Sequence, residues 1–92
     1  MAEGLTLVSG TKTISATNTP EQLQTTSQVV TGISVKASTS NADAVRIGPS
    51  TVGAASYSLL AGESIEFDIV DISNVYVYGT AARTVEFLGL VP

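Results

Sequence analysis

The fold is decided by residues 59–79, which read LLAGESIEFDIVDISNVYVYG. Within this stretch, residues 65–69 alternate apolar and acidic side chains, a period of two that is typical of a half-buried strand. The apolar side chains are predicted to face the core and the acidic ones to face water: Ile65, Phe67 and Ile69 inward, Glu66 and Asp68 outward. This is the best-specified strand of the chain.

Turn residues bound this strand on both sides, at Ala61-Gly62 and at Asp71–Asn74. The next predicted strand, Val75–Gly79, carries valines on one face and Tyr76 and Tyr78 on the other. A strand that is apolar on both faces is either central in a sheet or part of an interface.

Working outward, we predict further strands at residues 44–47 and 84–92, and at residues 29–38 with Val29, Ile33, Val35 and Ala37 on one face. Residues 5–8 and 13–16 read as a pair of strands separated by a turn at Ser9-Gly10. Residues 18–23 could form at most one helical turn, because Thr19 could cap it and Pro20 suits its first position.

Seven or eight short strands without a convincing helix predict an all-β fold, an antiparallel β-sandwich that is jelly-roll-like. The chain has 92 residues, of which 43% are hydrophobic, so residues 1–92 are expected to form a single domain. Residues 1–8 are a candidate extended N-terminal arm.

Composition predicts that this small domain associates with other protein. The chain has no Cys and no His, so neither a disulfide nor a structural zinc site supplements its small core, and oligomerisation is the remaining means of stabilisation. Charged residues make up 13% of the chain, about half the usual quarter, while Ser and Thr occupy 23 positions. Burying a hydroxyl-rich surface against another protein costs less free energy than burying an ionic surface.

Charge and hydropathy exclude two classes of partner. The net charge is −4, and the four cations are spread singly along the chain, so binding to nucleic acid through phosphate contacts is not expected. No segment has the apolar length that spans a bilayer, and the first residues do not read as a signal peptide. We therefore expect a soluble protein made in the cytoplasm, with no membrane partner.

The residue types present argue against catalysis. Without His, Cys or Trp, the chain lacks an imidazole base, a thiol nucleophile and the ligands of most transition-metal sites. The carboxylates of Glu63, Glu66, Asp68 and Asp71 cluster in sequence, and both a glycosidase-like acid pair and a calcium site are conceivable. Polar residues that alternate with a core face are usually only solvated. We therefore expect no enzymatic activity, no cofactor and no metal site.

Two groups of apolar or aromatic residues are candidates for protein contact. Tyr76 and Tyr78 offer large contact area with a polar tip, although one of them could instead lie under a neighbouring loop. Near the C-terminal end, the same two possibilities hold for Leu88, Leu90 and Val91. They are either covered within the chain or form an uncovered apolar patch that would favour association.

Five segments carry a resemblance to a known family. They read AVRIG at 44–48, LLAGES at 59–64, IEFDI at 65–69, DISNVYVYG at 71–79 and TVEFL at 84–88. In order and spacing, from about Val29 to Leu88, the chain resembles bacteriophage capsid decoration, or cement, proteins and related small β-sandwich proteins of virions. The shared motifs are turn and core features, not catalytic ones.

This resemblance implies a jelly-roll-like subunit, commonly a homotrimer, on the outer surface of a phage head. It implies contact with the major capsid protein, in a virion whose proteins are made in the host cytoplasm. We assign Tyr76, Tyr78 and residues 88–91 to subunit contact. We assign residues 2–8 of the N-terminal arm, which include Leu5, Leu7 and Val8, to the capsid surface.

Two other functions stay open at this point. The same sandwich could serve as a tail, neck or fibre component, and nothing in the sequence separates that role from decoration. A module of a different class, a carbohydrate-binding adhesin, would use Tyr57, Tyr76 and Tyr78 as stacking platforms for sugars.

Overall fold

The computed structural model describes residues 6–91, which form eight strands in two four-stranded antiparallel sheets. The long sheet contains β1 (Thr6–Thr13), β3 (Val29–Ala37), β6 (Ser64–Asp71) and β8 (Thr84–Val91). The short sheet contains β2 (Glu21–Gln22), β4 (Val45–Gly48), β5 (Ser58–Leu59) and β7 (Tyr76–Tyr78). A 3-10 helix, Ile72–Asn74, connects β6 to β7. The prediction of an all-β fold with two antiparallel sheets is confirmed.

The strands pair in a nested order. The long sheet is ordered β1-β8-β3-β6 and the short sheet β2-β7-β4-β5. The first strand thus lies beside the last, the second beside the seventh, the third beside the sixth and the fourth beside the fifth. This is the order that results when a long hairpin of four strands on each arm is rolled into two sheets.

A single hydrophobic core lies between the sheets, because each sheet turns one face of its alternating side chains inward. Val35, Val85 and Phe87 contribute from the long sheet, and Val45 and Val77 from the short sheet. The predicted separation of valines and tyrosines onto opposite faces around β7 is confirmed: Val75 and Val77 are buried, and Tyr76 and Tyr78 are half-buried.

The prediction of two strands near the N-terminus was wrong. Residues 6–13 form one strand, β1, which pairs with β8 along its whole length, from Thr6 opposite Val91 to Thr13 opposite Thr84. Gly10 is not a turn residue. It lies opposite Phe87, whose ring atom Cζ would be 2.7 Å from a Cβ at this position. Glycine is needed there for close packing of the ring.

The predicted inward faces of β3 and β6 were wrong at one end. Val29 and Ile69 are 51% and 69% exposed, and their neighbours Val30 and Val70 pack on the core instead. The cause is a bulge at Gly32, where φ is 58° and the register between β3 and β8 shifts by one residue. Because successive side chains of a strand point to opposite faces, a register shift of one residue moves inward-facing positions to the outer face and outward-facing positions to the core.

The remaining expectations near the N-terminus have different outcomes. Residues 18–23 form a turn at Asn18 and then strand β2, without a helical turn. Residues 6–8 of the candidate arm form the start of β1 and pair with residues 89–91 of β8. The rest of the arm, including Leu5, lies outside the described residues.

Candidate protein-contact face

The candidate site is the outer face of the long sheet, which points away from the core. Residues directly opposite each other on neighbouring strands point to the same side of a sheet, so the register identifies the members of this face. Leu7 lies opposite Leu90, Leu90 opposite Thr31, and Thr31 opposite Ile69. These four residues form a row across all four strands.

The next row toward the middle of the sheet adds another leucine. It runs from Ser9 through Leu88 and Ser34 to Glu66. Leu88 is 50% exposed and Leu7 is 66% exposed, while Leu90 is half-buried. Together with Val29, the apolar side chains of this end of the face form what we call the leucine patch: Leu7, Val29, Ile69, Leu88 and the half-buried Leu90.

The opposite end of the outer face is polar. A third row runs from Thr11 through Glu86 and Lys36 to Ser64. Glu86 and Lys36 are both exposed and lie opposite each other, yet they form no ion pair within residues 6–91. The outer face thus has an apolar end and a charged end along the strand direction, with the exposed carboxylate of Glu66 between them on β6.

The surface relief of this face is uneven. Strand β8 carries Leu88 and Leu90, whereas its neighbour β3 carries the small residues Thr31, Gly32 and Ser34. A shallow depression of about 240 Å³ lies beside Leu88 and includes Ser34 and Lys36 in its lining. The β8 side chains therefore form a ridge, and the β3 positions form a groove.

The structure separates the predicted contact residues near the two ends of the chain into three groups. Leu7, Leu88 and Leu90 come together in the leucine patch. Val8 and Val91 are half-buried and pack against the core, so they contribute little surface. Leu5 lies outside the described residues. Subunit contact by any of these residues stays a prediction.

Tyr76 and Tyr78 lie on the outer side of the short sheet, away from the leucine patch. Tyr76 is opposite Gln22 and Gly48, and both tyrosines are half-buried. Tyr78 lies opposite Arg46, whose Nε donates to the carbonyl oxygen of Ala54 at 3.1 Å.

A polar cleft of about 220 Å³ borders Tyr78. Asn18, Asp43, Arg46 and Thr80 also line it. It combines an aromatic ring with amide, carboxylate and guanidinium groups, which are residue types that can orient a small polar ligand.

Sequence reasoning missed Val29 and Ile69 as members of the contact face, because it placed both in the core. The signal that could have found them is Gly32, an isolated glycine inside a strand, which is typical of a bulge. A bulge at that position reverses the faces of Val29 and Thr31, and Ile69 lies on the outer face because it pairs with Thr31.

Glu21 joins the two sheets at the edge formed by β1 and β2. Its carboxylate forms an ion pair with Nζ of Lys12 at 2.8 Å and accepts the backbone amides of Ser15 at 3.1 Å and Ala16 at 2.8 Å. Desolvation by burial raises its pKa, but these hydrogen bonds lower it more, so that the pKa falls from 4.5 to about 2. The carboxylate is therefore fully engaged in a structural contact.

Asp71 and Asp43 are held in the same manner. Hydrogen bonds from Ser27 and Ser73 and from the amide of Gln28 hold the pKa of Asp71 well below its usual range. Asp43 accepts from Nε of Arg83 at 2.6 Å, which lowers its pKa. Asp71 thereby fastens the segment before β3 to the end of β6, and Asp43 joins two loops.

The carboxylates that cluster in sequence do not form a site in the described chain. Glu63 accepts the amide of Leu60 at 2.8 Å, and Glu66 and Asp68 lie exposed on β6. Within residues 6–91, no three acidic side chains converge as a metal-binding group. No helix in this part of the chain is long and apolar enough to cross a membrane.

Comparison with known proteins gives no relative: no family model matches the chain, and neither a curated protein nor a solved structure matches it significantly.

Proposed function

We propose that this chain is a non-enzymatic structural protein of a bacteriophage particle, an outer capsid decoration subunit that binds and stabilises the head shell. The observation that carries the proposal is the leucine patch, a group of exposed apolar side chains on a four-stranded sheet. Leaving such a patch in water is unfavourable, and contiguous exposed patches usually mark contact with another macromolecule. The resemblance of residues 44–48 and 59–88 to decoration proteins suggests the kind of particle.

The fold itself supports the same proposal. We assign the domain to the jelly-roll architecture, because the nested order pairs the first strand with the last in one sheet and the second with the seventh in the other. The long sheet offers four paired strands of eight or nine residues, which provide a broad, rigid face. A rigid face loses little conformational entropy when it binds.

The proposed mechanism is passive. Each subunit makes weak apolar and hydroxyl contacts with the major capsid protein and with copies of itself, and repetition over the shell converts weak contacts into strong retention. The resemblance implies a homotrimer as the unit. The chain is made in the host cytoplasm and acts on the outer capsid surface.

The test is the copy number of this chain in purified particles, by quantitative mass spectrometry against the major shell protein. Several hundred copies in a fixed ratio to the shell are the expected result. A handful of copies would assign the chain to the tail, the neck or a fibre, and none would overturn the virion proposal. The same particles, labelled with an amine reagent before and after disruption, should show the chain labelled while the head is intact.

A second candidate function, a carbohydrate-binding module, is favoured by the polar cleft beside Tyr78. The ring could stack on a sugar while Asn18 and Asp43 hydrogen-bond its hydroxyl groups. A glycan array with the purified chain tests this candidate, and Tyr78→Ala should abolish any hit. Leu60→Ala, a change at an exposed side chain that does not line the cleft, is the control.

A further inference from the structure

We propose that the outer face of the long sheet is complementary to itself, and that two copies of this chain pack face to face through it. The twofold axis would lie between the long sheets of the two copies. It would run parallel to the strands, midway between β8 and β3. This inference makes a second copy of the chain, and not the shell, the partner of the leucine patch, and it replaces the homotrimer that the resemblance implies with a dimer. It rests on the proposed function only in treating that patch as a protein contact.

The strand order determines which strands meet. A twofold axis along the strands reverses the order β1-β8-β3-β6 from left to right and keeps each row at its own height. Strand β1 then faces β6 of the second copy, and β8 faces β3 of the second copy. Packed sheets lie about 10 Å apart, a distance that two layers of side chains fill.

The apolar end of the face meets itself in this arrangement. Leu7 faces Ile69 of the second copy, and Ile69 faces Leu7 of the second copy, because both belong to one row. Exposed side chains of the leucine patch are thus removed from water in symmetric pairs, which is the main favourable contribution to association.

The charged end is also complementary. Glu86 on β8 faces Lys36 on β3 of the second copy, and the reverse contact occurs by symmetry. Since Glu86 and Lys36 form no ion pair within the described chain, both side chains are available for these contacts. Two carboxylates and two ammonium groups alternate around the axis at this end.

The relief of the face fits the same axis. The ridge formed by Leu88 and Leu90 on β8 faces the groove at Gly32 and Ser34 on β3 of the second copy. The depression of about 240 Å³ beside Leu88 and Ser34 provides space for an opposing leucine. Ridge and groove exchange places in the two copies, as an isologous contact requires.

Other twofold axes do not give this match. An axis across the strands would place the leucine patch of one copy on Lys36 and Glu86 of the other, which buries charges against apolar groups at high cost.

The patch itself is large enough for the parallel arrangement. It presents on the order of 400 Å² of apolar surface, comparable to the apolar half of one side of a standard interface.

Sedimentation velocity of the purified chain, from about 1 μM to about 200 μM, is the first test. The expected result is a monomer–dimer equilibrium. Leu88→Asp should weaken dimerisation at least about 100-fold, because it places a carboxylate twice in the apolar contact. Leu60→Asp is the matched control: Leu60 is 58% exposed but lies in the turn after β5, so its dimer should be unchanged. Circular dichroism would confirm that both variants are folded.

A charge exchange tests the axis itself. Lys36→Glu and Glu86→Lys should each weaken the homodimer about tenfold, because each places like charges opposite each other. Mixing the two variants should restore a heterodimer of normal affinity, since every contact across the axis is again between opposite charges. Repulsion inside each single chain is unchanged by mixing, so restoration cannot come from folding.

Several outcomes would overturn the inference. These are a chain that stays monomeric at the highest concentration, a trimer, a dimer that tolerates Leu88→Asp, and variants that do not recover on mixing. The proposed function fails separately, through the particle composition. A monomeric chain found in several hundred copies per particle would contradict the dimer and support the decoration role. A dimeric chain that is absent from particles would support the dimer and contradict the decoration role.

Discussion

At the scale of single residues, Ala82 is held in a costly backbone conformation. Its φ is 75°, in the left-handed region, and its amide donates to the carbonyl oxygen of Ile14 at 2.8 Å. A residue with a Cβ loses about 1–2 kcal/mol there, whereas glycine does not. Ala82→Gly should therefore raise the free energy of unfolding by about 0.5–1 kcal/mol, after allowance for the greater freedom of glycine in the unfolded chain.

Urea denaturation measures this difference, and Ala81→Gly is the control. Ala81 is not in the left-handed region, so the same change there should lower the free energy of unfolding slightly. Equal effects at the two positions would show that backbone strain at Ala82 is not released.

At Gly10, glycine is required because a side chain would have no space, and not because of the backbone conformation. A Cβ at this position would lie 2.7 Å from Cζ and 3.0 Å from Cε1 of Phe87, and the ring is buried and cannot move freely. Gly10→Ala should lower the free energy of unfolding by about 1–3 kcal/mol. Combining it with Phe87→Leu should cost less than the sum of the two single changes, because leucine vacates the ring position. Ser9→Ala, on the outer side of β1, should be nearly neutral.

At the scale of elements, the predictable strands are those whose side chains alternate without interruption. Around β7, valine and tyrosine alternate strictly, and the predicted faces were correct. β1 and the first half of β3 were mispredicted because a glycine has several uses that local sequence does not distinguish. Gly10 packs against a ring, and Gly32 forms a bulge, while Gly62 with φ of 84° serves the turn that was predicted. Which use applies depends on the strand that lies opposite.

The bulge at Gly32 can be tested by its backbone requirement. Its φ is 58°, and the nearest atom to an added Cβ is Cδ1 of Leu90 at 4.0 Å, so a substitution meets conformational strain and no clash. Gly32→Ala should lower the free energy of unfolding by about 1–2 kcal/mol, and Gly32→Asn should cost less because asparagine tolerates this region.

Gly32→Val should cost the most in this series, since a β-branched residue is least compatible with positive φ. Urea denaturation of the three variants gives the order. If alanine and asparagine proved equally costly, the left-handed conformation would not be the reason for glycine at this position.

At the scale of the whole molecule, the contact face could be predicted only in part. Leucines near the end of the chain were recognisable as contact candidates from their apolar character alone. Their assembly with Leu7 and Ile69 was not, because it depends on the first and last strands being neighbours and on β6 lying at the far edge. Pairing between strands that are distant in sequence is a property of the tertiary fold. The alternation of side chains along one strand does not indicate which other strand lies beside it.

The response of the whole domain to acid follows from three carboxylates, Glu21, Asp43 and Asp71, whose pKa values are lowered in the folded state. A lowered pKa means that the unfolded chain binds protons first, so the stability from these groups is complete above their unfolded pKa and is lost as the pH falls toward the folded value. For Glu21 this window extends from 4.5 down to about 2. The free energy of unfolding should therefore be nearly constant from neutral pH to about pH 5 and fall steadily below it.

Glu21→Gln isolates one part of this acid response. At pH 7 the variant should be less stable by about 1 kcal/mol, because the amide cannot replace the charged contact with Lys12. At pH 2 the difference should be much smaller, since about half of the wild-type carboxyl is then protonated in the folded chain and nearly all of it in the unfolded chain. Glu66→Gln is the control, because Glu66 is exposed and accepts no hydrogen bond within residues 6–91, so it should follow the wild-type curve. A Glu21→Gln deficit that persisted unchanged at pH 2 would mean that the carboxylate acts through its shape and not through its charge.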